Sequence, residues 1–96
     1  MAELRLSPAA ARDLEGIWRY TAERWGAAQA DHYIDLLHAA MQAVAQAPAT
    51  APACDAIRPG YRRQWAEQHA LYYQVRGTCV VVVRVLHQRM DATRHV

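Results

Sequence analysis

Four side chains near the C-terminus, His87, Arg89, Arg94 and His95, are of the types that RNA cleavage needs. That reaction activates a 2′-hydroxyl, protonates a leaving oxygen and offsets charge on the phosphate, so it calls for an acid–base pair beside cations. His87 has an equal second reading, as a strand-end histidine satisfied by a backbone carbonyl. A further set, Arg58, Arg62, Arg63 and Arg89, carries planar guanidinium forks suited to carboxylates or phosphates. These arginines lie at strand or loop positions that antiparallel pairing would gather on one edge, with a solvated basic surface as the alternative. Arg84 differs, because alternation places it on an apolar face, where a partly buried ion pair with a helix carboxylate is expected.

Other chemistries are excluded by what is missing. The 96 residues include no lysine, and Ser7 is the only serine, so no phosphate loop ending in Lys-Ser/Thr exists. Cys54 and Cys79 lack CxxC spacing and cannot form a four-ligand zinc site on their own. Reduced thiols are expected, with a single bridge between the two as the alternative. His32 and His38 stand six apart, off the i, i+4 spacing that would put two ligands on one helix face, so no metal and no cofactor is expected. The apolar run Cys79–Val83 ends at Arg84, far short of the roughly 18 residues of a membrane span. With no signal pattern at the N-terminus, the expectation is a cytoplasmic protein without membrane contact.

Net charge is +2, but it is unevenly placed. Residues 1–55 hold four arginines and seven acids, whereas residues 56–96 hold seven arginines and two acids. Twenty of the apolar residues are alanine, which leaves 31 larger side chains for a core. That suits one domain, 1–96, of modest core.

The elements that position these groups follow from period and punctuation. Leu4 and Leu6 alternate with charged neighbours as a short edge or terminal strand. Ser7-Pro8 reads as an N-cap followed by proline at the first helical position. Leu14, Ile17, Trp18, Thr21 and Trp25 then recur at helical spacing up to Gly26, a glycine cap. Trp18 is expected in the core and Trp25 at the helix-to-helix corner. A second stripe, Ala30, Tyr33 or Ile34, Leu37, Met41 and Val44, runs to Pro48, giving an antiparallel helical hairpin. Residues 48–60 read as loop.

The second half changes to period 2. Tyr61–Trp65 is a short strand, and His69–Arg76 and Cys79–His87 form a hairpin around Gly77-Thr78. A regular ladder pairs Val75 with Val80, Tyr73 with Val82 and Leu71 with Arg84. The other face then carries Tyr72, Gln74, Val81, Val83, Val85 and His87. Covering ~400 Å² of such a face would contribute on the order of 10 kcal/mol before ordering costs. A partner segment, the C-terminal tail and a second copy of the chain are the candidate covers. Trp65, in a polar stretch, is a candidate exposed contact.

The order strand, helix, helix, loop, three strands resembles the RelE/ParE superfamily of small bacterial toxins, and local sequence points to its ParE branch. The likeness rests on Leu6-Ser7-Pro8-Ala9-Ala10 with Asp13-Leu14 and Ile17-Trp18, on Tyr20-Thr21 through Trp25-Gly26, on Arg58-Pro59-Gly60, and on Val83 through Arg89 with Asp91. It implies an α+β fold, β-α-α-β-β-β, with an antiparallel sheet packed on a helical hairpin. It further implies the toxin of a type II toxin–antitoxin pair, neutralised by a ParD-like antitoxin whose C-terminal segment wraps it. ParE-branch members inhibit DNA gyrase, whereas RelE-like members cut mRNA on the ribosome.

On the ParE reading the chain acts by binding, without stable nucleic-acid binding of its own. Arg58, Arg62, Arg63, His87 and Arg89 then meet the target, while Tyr72, Gln74, Val81, Val83, Val85 and Trp65 meet the antitoxin. On the RelE-like reading His87, Arg89, Arg94 and His95 are catalytic, although the tail lacks the tyrosine usual in such nucleases. A degenerate binding module is the third reading. Met90 motivates it, standing where the family pattern commonly has a second arginine after the histidine.

Overall fold

The structure, a computed structural model, describes residues 2–96. Strand β1 (Glu3–Leu6) leads into helices α1 (Pro8–Trp25) and α2 (Ala27–Gln46), followed by strands β2 (Arg62–Ala66), β3 (His69–Arg76) and β4 (Cys79–His87). A single 3-10 turn, Ala92–Arg94, ends the chain. The sheet order is β1-β4-β3-β2; β2, β3 and β4 form an antiparallel meander, and β1 adds a parallel edge strand beside β4.

Local signals act as their chemistry dictates. Ser7 Oγ accepts the Ala10 N–H at 3.0 Å and donates to the Val83 carbonyl at 2.6 Å, so one hydroxyl starts α1 and fastens it to β4. Replacing Ser7 by alanine removes both bonds and is expected to cost about 1–2 kcal/mol, read as a lower urea midpoint at unchanged slope. Gly26 takes φ +94, a conformation costly for any other residue, and this lets α2 begin with a single residue between it and α1. Gly77, at φ +62, makes the hairpin turn.

The helical hairpin covers one sheet face. Ala10 and Leu14 of α1 and Leu37, Met41 and Val44 of α2 pack on Leu71, Tyr73, Val80, Val82 and Val85. Tyr73 is fully buried and donates its hydroxyl proton to the Pro48 carbonyl at 2.6 Å. On the other face Cys54 and Tyr61 of the loop close over Ala70, Tyr72 and Leu86, with Ile57, Val83, Ala92 and Val96 packed around them. The chain's own loop and tail are therefore the cover for this part of the face. Cys54 and Cys79 are both free thiols, and burial pushes the Cys54 pKa up.

A β-bulge corrects the regular ladder expected between β3 and β4. Tyr73 pairs with Val82, but Tyr72 pairs with Arg84 and Leu71 with Val85, leaving Val83 as the extra residue. An unbroken ladder would have aimed Arg84 into the core beside Leu71 and left Val85 outside. The bulge instead buries Val85 under the helices at 2 % exposure and turns Arg84 toward α1 and the tail. Val85 is thus a core residue and not part of the outer sheet face. Tyr72 does lie on the outer face, at 3 % exposure beneath the loop.

Two tryptophans depart from expectation. Trp18 is 38 % exposed, because Ala10, Leu14 and Ile17 fill the space against the sheet; its indole N–H reaches Asp31 of α2 at 2.8 Å. Trp25 does not pack the hairpin corner and is 71 % exposed.

Candidate binding groove

Between the helical hairpin and the far end of the β3–β4 pair lies an open groove of about 1240 Å³. Its helical wall comes from a simple spacing. Arg12, Gly16, Tyr20 and Arg24 recur every four residues, which aligns them along one face of α1. Gly16 leaves open space in that row, and the Arg24 guanidinium lies 5.1 Å from the Tyr20 ring centre. Gln29 and Tyr33 extend the wall onto α2. His69, Val85 and His87 line the sheet end, and Arg89 and Met90 follow from the turn after β4.

Three hydrogen bonds fix the aromatic and imidazole groups. The Gln68 backbone N–H donates to the Tyr33 hydroxyl at 3.2 Å, and this hydroxyl lies 2.6 Å from His69 Nδ1. The arrangement is satisfied when the phenol donates to Nδ1, which assigns the His69 proton to Nε2. His87 Nδ1 accepts the Arg89 N–H at 3.1 Å, leaving its Nε2 as the donor of the neutral ring. The two imidazoles meet edge to face, with centres 5.2 Å apart. Burial, and then the neighbouring His87, pull the His69 pKa down to about 4, with Asp13 opposing them. Burial raises the Tyr33 phenol, opposed by the Gln68 N–H.

A pH dependence follows. His69 stays neutral in the fold down to about 4, whereas in the unfolded chain it takes up a proton near 6.5. Its contribution is present above 6.5 and is lost as pH falls toward 4. His69→Gln is expected to flatten this segment of the stability curve, measured by urea unfolding at about pH 7 and about pH 4.5. Equal losses in the variant and the parent would contradict the assignment.

Asp13 holds the groove's two walls together. Its carboxylate takes Arg84 Nε and Nη2, each at 2.8 Å, and also the Val85 backbone N–H at 2.9 Å. β1 pairs with β4 only as far as Val82, so Ser7 and Asp13 complete the strand's free edge where no neighbouring strand exists. The bond to Asp13 raises the Arg84 pKa further. Arg84 Nη1 also donates to the His95 carbonyl at 2.9 Å and so pins the tail.

The sequence-derived site residues separate into different places. His87 and Arg89 line the groove. Arg94 and His95 belong to the terminal turn and do not line it; Asp91 caps that turn, accepting from Thr93, which lowers the Asp91 pKa. Arg58 lies over Tyr61 and Arg63 over Trp65, both on the loop-covered side of the sheet. Arg62 is committed to the Ala51 carbonyl at 2.6 Å. Strand alternation thus splits the arginine edge that the sequence suggested. Gln74, Val81 and Val83 are half-buried, and Trp65 is 48 % exposed. Sequence reasoning missed Arg12, Tyr20 and Arg24, although their four-residue spacing was there to be read. The Tyr33–His69 contact spans 36 residues and left no local signal.

The profile of the ParE toxin of the type II toxin–antitoxin system parDE matches residues 4–92, from β1 through the groove-lining turn. The chain belongs to the ParE toxin family. Toxin ParE1 of Mycobacterium tuberculosis is 50 % identical over 91 residues, 94 % of this chain and 93 % of that one. Toxin ParE1 of Caulobacter vibrioides is 40 % identical over 95 residues, 99 % of this chain and 98 % of the relative. A solved chain described as the chromosomal ParDE TA system from P. aeruginosa superposes with a TM-score of 0.81. It covers 91 % of this chain and 96 % of its own length at 19 % identity, a likeness of fold. The ParE architecture of two helices on a four-stranded mixed sheet is therefore shared well beyond the range of close sequence similarity.

Proposed function

We propose that this ParE-family toxin inhibits DNA gyrase by stoichiometric contact and is held inactive by a ParD-like antitoxin. The observation that carries the binding mode is the separation of the cleavage candidates. His87 and Arg89 line the groove while Arg94 and His95 sit on the tail, so the four candidates are not gathered in one groove. Exposed Arg58 and half-buried Arg63 supply a second cationic surface that fits an acidic or phosphate-bearing target. For the antitoxin, the outer edge of β2 beyond its bridge to Ala53 is one of the sheet's two outer edges, the other being β1. It carries exposed Trp65, while half-buried Gln74 and Val81 pair with each other at the hairpin end of β3 and β4. Gyrase acts in the cytoplasm, and no helix among the described residues is long and apolar enough to cross a membrane.

Expression in a bacterial host is expected to arrest growth, and co-expression of a small cognate antitoxin to relieve it. In a ribosome-dependent assay, mRNA remains intact at saturating toxin. Cleavage that depends on His87 and Arg89 would replace this reading with the nuclease one.

A further inference from the structure

The groove has more chemistry than a docking surface of the sheet requires. Arg12, Arg24 and Arg89 place three cations around it, and the one lining carboxylate, Asp13, already holds Arg84 and the Val85 N–H. No unpaired acid among the lining residues opposes an incoming anion. His69 and His87 add imidazoles whose Nδ1 atoms are occupied, leaving Nε2–H groups as donors. Planar faces stand beside the cations, since Tyr20 is 59 % exposed and Trp25 more so. One face of Tyr20 already carries Arg24, so the indole of Trp25 is the open aromatic surface, and cations for phosphate beside an aromatic face for a base form the pairing by which proteins hold nucleotides.

We propose that the groove binds a free nucleoside polyphosphate, its phosphates on Arg24 and Arg89 and its base on the exposed indole of Trp25. An isolated inorganic anion would leave the aromatic wall unused, and an uncharged nucleoside would leave the arginines unpaired. The assignment stands apart from the gyrase reading, because it concerns the toxin alone and is tested without gyrase or antitoxin.

The test is calorimetric titration of the full-length chain with ADP, adenosine, inorganic pyrophosphate and a short single-stranded RNA, at physiological ionic strength. ADP is expected to bind at least ~10-fold more tightly than adenosine or pyrophosphate. Arg24→Glu and Trp25→Ala are each expected to weaken ADP by about 10-fold or more, both sites being solvent-exposed. Arg19→Glu, on the same helix outside the groove, is expected to leave ADP binding within about twofold. Pyrophosphate or adenosine binding as well as ADP overturns the proposal, as does equal loss in Arg24→Glu and Arg19→Glu. RNA binding more tightly than ADP would make a nucleic acid the occupant and overturn the free nucleotide.

Discussion

Asp13→Ala is expected to cost about 3 kcal/mol and to lower the melting temperature by on the order of 15 °C. The loss is large because one carboxylate accepts three hydrogen bonds. Its removal leaves the Arg84 guanidinium, 21 % exposed, without its counter-ion and the Val85 N–H without an acceptor. Both partners keep some contact with water, which holds the figure at the lower end of the range for breaking a buried pair. Asp13→Asn retains an acceptor for the Val85 N–H and is expected to lose about half as much. A double-mutant cycle with Arg84→Ala should return a coupling of about 1–3 kcal/mol. Urea unfolding of the four proteins checks this; an Asp13→Ala protein within about 0.5 kcal/mol of the parent would remove the pair from its structural role.

The second large effect separates two valines two residues apart. Val85→Asp puts a carboxylate among Leu71, Val82 and the helices and is expected to cost more than about 4 kcal/mol, enough to unfold most of a domain this size. Val83→Asp, at the half-buried bulge, is expected to cost about 1–2 kcal/mol and to leave a folded protein. The alanine variants keep the contrast measurable if the charged one does not fold: about 2 kcal/mol for Val85→Ala and under about 1 kcal/mol for Val83→Ala. In a regular ladder both valines would lie on the same face and the two substitutions would be similar. Equal losses would therefore contradict the bulge.

The elements were legible because each carries a local signal. Ser7-Pro8, Gly26 and Gly77 mark their boundaries by backbone chemistry alone, and His69–Arg76 and Cys79–His87 are strands to the residue expected. The Arg84 ion pair was also legible, since an arginine amid valines needs a carboxylate. Its direction was not. The bulge at Val83 is stabilised by groups more than 70 residues away, Ser7 and Asp13, and period-2 counting cannot see them. The same limit applies to the site. His87 and Arg89 stood out by type, but Tyr33 and His69 meet only after the hairpin folds onto the sheet. Trp18 and Trp25 lie on the periodic stripe, yet smaller residues of α1 already fill the core. The split of Arg62 from Arg63 follows from strand alternation and became visible only once their partners, Tyr73 and Tyr72, were assigned to opposite faces.

The most direct test is titration of the purified toxin into an ATP-dependent gyrase supercoiling reaction. The predicted result is loss of supercoiling at roughly equimolar toxin, as expected for tight stoichiometric binding, with recovery when antitoxin is added in equal amount. Undiminished supercoiling at saturating toxin would contradict it.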